Sequence, residues 1–191
     1  LTAGNSSPLT DGASCILLAT EEWANAHGLP VLAYITFAEL AAIEYVQNKH
    51  NLLLAPINAS NRMLKKAGIT LQDFDFYEIH EAFAGQVLAT LKIWESPELS
   101  AQFGVEALGA IDRSKLNLNG SSLATGHPFA ATGGRVLATA AKLLNQKGSG
   151  RAFISVCAAG GHEAGHPLCH GREPGDLLQP RVLEDLAHRG R

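Results

Sequence analysis

Between residues 74 and 157 short apolar runs alternate with amphipathic ones, and this alternation limits the possible folds more than any other feature of the chain. Residues 74–79 read as a strand, after which Phe83, Val87, Leu91 and Trp94 recur on one helical stripe. Residues 117–126 form a loop rich in Gly, Ser and Asn. Pro128 then suits the opening of a helix with Gly133, Leu137, Ala140 and Leu144 on one face. Residues 151–157 are again strand-like and lead into the small-residue turn Ala158, Ala159, Gly160, Gly161. Strands alternating with helices argue for an α/β layered domain.

The first third repeats the pattern as strand, helix, strand, helix over residues 11–68. Residues 13–19 are short and apolar, which predicts a strand. Thr20 can cap a helix whose first turn carries Glu21 and Glu22 and which Gly28 ends. Residues 31–43 are β-branched and aromatic, so one long buried strand is expected. Pro56, then Ala59, Met63 and Ala67 at four-residue spacing, then Gly68, describe a second helix. Residues 99–115 are ambiguous, a helical excursion being one option. From His162 onward the text is rich in Pro, Gly, Arg and His without periodicity. It reads as loop or disorder, with a short helix near residues 182–186.

Composition excludes several classes. A chain of 191 residues that is 46% hydrophobic with net charge −3 can bury one domain's core and is not disordered over most of its length. The same near-neutral balance gives no electrostatic reason to expect nucleic acid or an anionic membrane. Thr36, Glu39 and Glu44 interrupt the apolar stretch 31–46, so no transmembrane segment is expected. No secretory signal opens the chain, although it starts at Leu1 rather than Met and reads as cut from something longer. Cys15, Cys157 and Cys169 are odd in number and widely spaced, a poor disulfide framework that fits a reducing, intracellular compartment.

Three segments could carry chemistry. His80 and Glu81 fall between a strand and a helix, where ligands gather in open α/β sheets; in the plainer reading His80 caps the helix and Glu81 complements its dipole. His127 precedes Pro128 at a helix mouth, where the dipole keeps the imidazole neutral and able to donate to a developing oxyanion, unless it is only a cap. Cys157 ends an apolar strand before a flexible turn whose N–H groups can hold an anion, although a buried cysteine is commonly an inert small hydrophobe. A fourth match, His162, Glu163 and His166 with Cys169 or His170 as further ligand, has the zinc-protease spacing. The glycines around it and Pro167 oppose the helix it needs, and no metal site is assigned.

Taken together these segments resemble the C-terminal half of a thiolase. The resemblance rests on residues 2–7 (Thr-Ala-Gly-Asn-Ser-Ser), Asp11-Gly12-Ala13, His80-Glu81-Ala82-Phe83, the run from Asn119-Gly120 to Gly126-His127-Pro128, and the Cys157 turn. It implies a thiolase-like layered α/β fold, a C-terminal domain with a mixed sheet flanked by helices. Residues 1–10 would close the N-terminal half, 11–161 would form the C-terminal domain, and 162–191 an atypical tail, disordered or frameshifted. Histidine at position 80 and the run 126–133 are similar to the 3-oxoacyl-CoA thiolases (acetyl-CoA acyltransferases) of fatty-acid β-oxidation, most of all the β subunits of trifunctional complexes.

The resemblance implies roles. His127 would donate to the thioester oxygen, with His80 supporting that site through a water. Cys157 would be the acid/base, and the Ala159 N–H would contribute to a second oxyanion hole. Glu81, Asn119 and Gly126 would support these groups. Coenzyme A and acyl-CoA would be substrates and no cofactor would be needed. The protein would form a homo-oligomer, with an α subunit as a further partner, in the cytoplasm of a bacterium or the mitochondrion of a eukaryote. Two departures stand against this. The family's acyl-accepting cysteine lies in its N-terminal half, and Cys15 is outside that motif. After Gly161 the family's final core strand is replaced by foreign-looking text, which would leave a sheet edge open. An inactive fragment that only packs or oligomerises is the alternative.

Overall fold

The computed structural model describes residues 1–44 and 52–158, and the backbone of 162–170. Its centre is β4 (Gly150–Ala158), which the sequence predicts almost to the residue. β4 pairs parallel with β3 (Phe76–Ile79) on one side and antiparallel with β5 (His162–His170) on the other. Beyond β5 lie two short antiparallel pieces, β1 (Tyr34–Ile35) and β2 (Glu39–Ala42), which complete a mixed five-stranded sheet.

The alternation of β4 fills two layers. Phe153 points to one face, where it joins Leu54, Ile57, Met63, Val87, Leu91 and Trp94 from the helical side. That layer is α2 (Pro56–Ala67) and α3 (Ala84–Glu95), followed by the short α4 (Pro97–Ala101), which overlaps only the start of the stretch that is ambiguous by sequence. Ala152 and Ile154 point the other way, against Val136, Ala140 and Leu144 of α6 (Ala130–Lys147). Phe153 is the hub of an aromatic cluster, 5.5 Å from Phe74 and 5.8 Å from Trp94 in edge-on contacts.

Most helix signals hold. Thr20 Oγ1 accepts from the Trp23 N–H at 3.2 Å and caps α1 (Glu21–Ala26). Pro56 opens α2, and Gly68 closes it in the left-handed region at φ +67°. The buried stripe of α6 is Thr132, Val136, Ala140 and Leu144, one residue over from the predicted start at Gly133.

Three expectations are corrected. Residues 13–19 form no strand, because no strand among the described residues offers them a ladder; the segment runs beside α6, where the Ser14 hydroxyl donates to the Ala131 carbonyl at 2.7 Å. The long strand over 31–43 is split into β1 and β2. Ile35 faces Leu168 whereas Glu39 faces Gly165, so one extra residue bulges out of the ladder opposite Pro167, which has no N–H to give. Residues 162–170 are a strand rather than loop or disorder, despite Pro167 and two flanking histidines. Pairing along all nine residues of β4 overrides their weak propensity and covers the edge that was expected to be open. A strand also removes the helical geometry that the His162–Glu163–His166 zinc motif requires. The predicted helix near 182–186 lies outside the described residues, as do the limits of the tail.

One asparagine ties the end of β3 to the loop beyond it. Asn117 sits at φ +48°, which Asn tolerates, and its Oδ1 accepts the Ile79 N–H at 2.8 Å while its Nδ2 donates to the Ile79 carbonyl at 3.0 Å. Two measurements check this account. Phe153→Ala should lower unfolding free energy by about 3–5 kcal/mol in urea melts, whereas Leu88→Ala on the exposed side of α3 should stay within about 0.5 kcal/mol. Asn117→Gly keeps the backbone conformation but orphans both Ile79 groups, so it should cost about 1–3 kcal/mol.

Candidate active site

His80 is the residue after β3, and its position is an extension of the sheet. Its N–H donates to the Ser155 carbonyl of β4 at 2.8 Å, continuing the parallel ladder one step past the strand. The ring is buried at 1% exposure, and its Nδ1 shares a 2.8 Å hydrogen bond with Ser122 Oγ. Ser122 opens the one-turn helix α5 (Ser122–Thr125), and its hydroxyl also accepts from Arg135 Nη2 of α6 at 3.0 Å. His80 therefore does not cap α3, whose start has no side-chain cap at all.

His127 arrives from the other side. Its N–H donates to the Pro8 carbonyl at 2.9 Å, and its Nδ1 meets Thr132 Oγ1 at 2.8 Å. Gly126 makes this approach possible: it stands at φ +94°, and a Cβ there would come within 2.6 Å of Thr10. The two imidazoles face one another with centroids 4.4 Å apart at 46°. Pro128 does not open α6 as predicted. The helix starts at Ala130, and between them Phe129 holds φ +34°, with its ring exposed and 5.0 Å from His127. His127 is thus at the helix mouth, bound by the Thr132 hydroxyl rather than by the helix backbone.

Cys157 lies near the end of β4, 7% exposed, two residues beyond the Ser155 that receives His80 and on the same side of the strand. Parallel pairing brings the carboxyl ends of β3 and β4 to the same end of the sheet, where His80 follows β3 and Cys157 lies near the end of β4. Ala159, Gly160 and Gly161 fall outside the described residues. Cys15, on the run expected to be a strand, is exposed. Glu81 is a brace: its two oxygens accept from Asn117 Nδ2 at 2.8 Å and from the Leu123 N–H at 3.2 Å, locking α5 to the β3 loop. Asn119 is exposed in a turn and makes no hydrogen bond to the histidines; Asn117 does the supporting instead. Asn117 escaped the sequence reading because a lone Asn before a loop looks like any turn residue.

Two charged residues also escaped it. Glu78 of β3 is 1% exposed on the α6 side of the sheet, and Arg135 of α6 lies within its electrostatic reach. Both retain an atom without a hydrogen-bond partner among the described residues, Glu78 Oε1 and Arg135 Nε. Burial first, then His127 and Arg135, pull the His80 pKa down from 6.5 to about 4. His127 is lowered too, by burial and Arg135. Burial pushes Glu78 up from 4.5 to about 7, Glu81 adding to the rise and Arg135 opposing it. Near neutral pH the site therefore presents two uncharged imidazoles.

These shifts act oppositely on stability. Between pH 4 and 6.5 the unfolded chain takes a proton at His80 that the folded chain refuses, so this group makes stability rise with pH, by about 3 kcal/mol in all. Between 4.5 and 7 the folded chain keeps a proton on Glu78 that the unfolded chain has lost, so this group makes stability fall. Urea midpoints across this range should change little in the parent protein. Glu78→Gln should expose the His80 slope, with stability increasing toward pH 6.5.

Comparison with known proteins identifies the family of this fold. Residues 30–169 match the family model "Thiolase, C-terminal domain". The chain is 44% identical over 163 residues to 3-ketoacyl-CoA thiolases of Pseudoalteromonas atlantica and Yersinia pestis, an alignment covering 84% of this chain and 37% of each relative. It thus spans little more than a third of the length of the curated relatives it matches. Among solved structures, Bacillus anthracis acetyl-CoA acetyltransferase superposes with TM-score 0.73 at 34% identity, over 88% of this chain and 38% of that one. Human mitochondrial 3-ketoacyl-CoA thiolase superposes with TM-score 0.71 at 28% identity, over 90% and 39%. The layered α/β fold with its mixed sheet is that of these proteins, and the chain belongs to the thiolase family, whose C-terminal domain it carries.

Proposed function

We propose that this chain carries the acid/base half of a 3-oxoacyl-CoA thiolase, an acetyl-CoA C-acyltransferase of fatty-acid β-oxidation. The observation that supports it is the pair of facing, uncharged imidazoles, His80 and His127, at the sheet end that also carries Cys157. Neutral imidazoles suit a site where an oxyanion must be met by N–H donors without a proton being handed over. Names of relatives add weight: curated proteins 44% identical to the chain are called 3-ketoacyl-CoA thiolases, and one solved human neighbour is in complex with CoA.

In the proposed reaction a cysteine thiolate attacks the 3-oxo carbon of the substrate. The bond between that carbon and the α-carbon breaks, and its electrons move into the thioester to form the enolate of acetyl-CoA. His127 donates to the enolate oxygen, with His80 supporting that site. The Cys157 thiol gives its proton to the acetyl carbon, and acetyl-CoA leaves. The resulting thiolate takes the proton of an incoming coenzyme A, whose sulfur then carries the acyl group away as a shortened acyl-CoA. The Ala159 N–H serves the acyl-transfer oxyanion. The reaction uses coenzyme A as substrate and no cofactor. Glu81 and Asn117 hold the His80 loop, and Gly126 admits His127.

The attacking cysteine of this scheme belongs to a segment these residues do not supply, because Cys15 is exposed on the strand-less run beside α6. The proposed assembly is a homo-oligomer, with an α subunit of a trifunctional complex as further partner. Among the described residues no helix is long and apolar enough to cross a membrane. We place the protein inside the cell, in the cytoplasm of a bacterium or the mitochondrion of a eukaryote.

The test is acetyl-CoA release from a 3-oxoacyl-CoA by the full-length protein that carries these residues. Cys157→Ala and His127→Ala should each lower the rate by about 100- to 1000-fold. If both leave it intact, the roles given to them are wrong. No turnover in the parent protein would instead favour a module that only packs or oligomerises.

A further inference from the structure

We propose that Ser122 and Arg135 are positioning residues that fix His80 in the tautomer carrying its proton on Nε2, so that the ring meets the reacting oxygen as a donor. The use of that donor rests on the function proposed above; the tautomer itself rests on a count of protons around one buried hydroxyl.

Ser122 Oγ is fully buried and has two hydrogen bonds, one with His80 Nδ1 at 2.8 Å and one from Arg135 Nη2 at 3.0 Å. The guanidinium donates and cannot do otherwise, since it has no lone pair to offer and stays charged. That leaves two arrangements. If His80 carried its proton on Nδ1, the oxygen would receive two N–H donors, and its own proton would find no acceptor among the described residues. If Nδ1 is bare, the hydroxyl proton goes to it and every group around Ser122 is satisfied. A buried hydroxyl proton without a partner is costly enough to favour the second arrangement by about tenfold or more. The neutral imidazole has one proton to place, so it sits on Nε2.

His127 lacks this device. Its Nδ1 partner, Thr132 Oγ1, has that bond and, among the described residues, no second donor fixing its direction, so either tautomer is compatible with it. The two rings are therefore unequal although they face each other. Arg135 is placed to act on both. No carboxylate of the described residues lies within ion-pair distance of it, and Glu78, on which it acts from further off, is pushed up to about 7 by burial. The groups that bear on His80 are then Ser122 from α5, Arg135 from α6 and His127 from the opposite loop. None of Ser122, Arg135 or Glu78 stands out in the sequence, where they read as a loop serine and two helix- or strand-surface charges.

Two-bond 1H–15N correlation of the histidine side chains in the full-length protein, labelled with 15N-histidine, decides the matter. At neutral pH His80 should appear as one neutral species protonated on Nε2. Ser122→Ala should convert it to a mixture, and Ser122→Thr, which keeps the hydroxyl, should retain the Nε2 proton. Arg135→Met should raise the His80 pKa, while Arg135→Lys keeps it low. In thiolysis assays Ser122→Ala should lower kcat by about 10- to 100-fold with KM changed less than about twofold. In a His80→Ala background it should cost nothing further, which a merely structural serine would not obey. A dominant Nδ1 proton in the parent protein, or a spectrum indifferent to Ser122→Ala, overturns the proposal. An Nε2 proton in a protein without turnover leaves the positioning intact and removes only the thiolase reading.

Discussion

The pairing of β3 with β4 is the constraint on which the other arrangements depend. β4 is hydrogen-bonded on both edges and covered on both faces, so its register cannot slip without moving Phe153 out of one core layer and Ile154 out of the other. That fixed register is what places His80, since the ladder runs on from Ile79 opposite Ser155 to the His80 N–H on the Ser155 carbonyl. Cys157 inherits its place from the same strand. The candidate site is in this sense the frayed end of a parallel pair, stiffened by polar contacts where the strands stop.

Those contacts are unusual for their burial. Ser122, His80, Thr132 and Asn117 are all at or below 9% exposure and hydrogen-bonded through their side chains, whereas buried Glu78 keeps an oxygen without a partner among the described residues. A buried, hydrogen-bonded network fixes geometry, because rearrangement leaves groups without partners. It also makes ionisation selective. Desolvation discourages charge on His80 and on Glu78 alike, which pushes one pKa down and the other up, and Arg135 remains as the positive centre between them.

Much of this was legible in the sequence. β4, β3 and the stripes of α2 and α3 follow from local periodicity and cap residues, and those signals are short-range. The positions of His80, His127 and Cys157 at element ends were legible for the same reason. What escaped depends on distant partners. Residues 13–19 have the composition of a strand, but a strand exists only where another offers a ladder. Residues 162–170 lack the composition and are a strand because β4 provides one. Asn117 over Asn119, and the buried Glu78 and Arg135, turn on which side of an element faces inward. One residue of offset, as in the α6 stripe, reverses that choice.

The first ten residues, read from the sequence as the end of a neighbouring half, are stitched to both loops of the site. Ser7 donates to the Ala82 carbonyl at 3.0 Å and Pro8 receives the His127 N–H at 2.9 Å, so a single short segment bridges the His80 loop and the His127 loop. A cut after residue 10 would therefore part the two loops from the segment that clasps them while leaving the hydrophobic core whole. A unit of this fold that keeps its site has to carry the clasp and the two loops together.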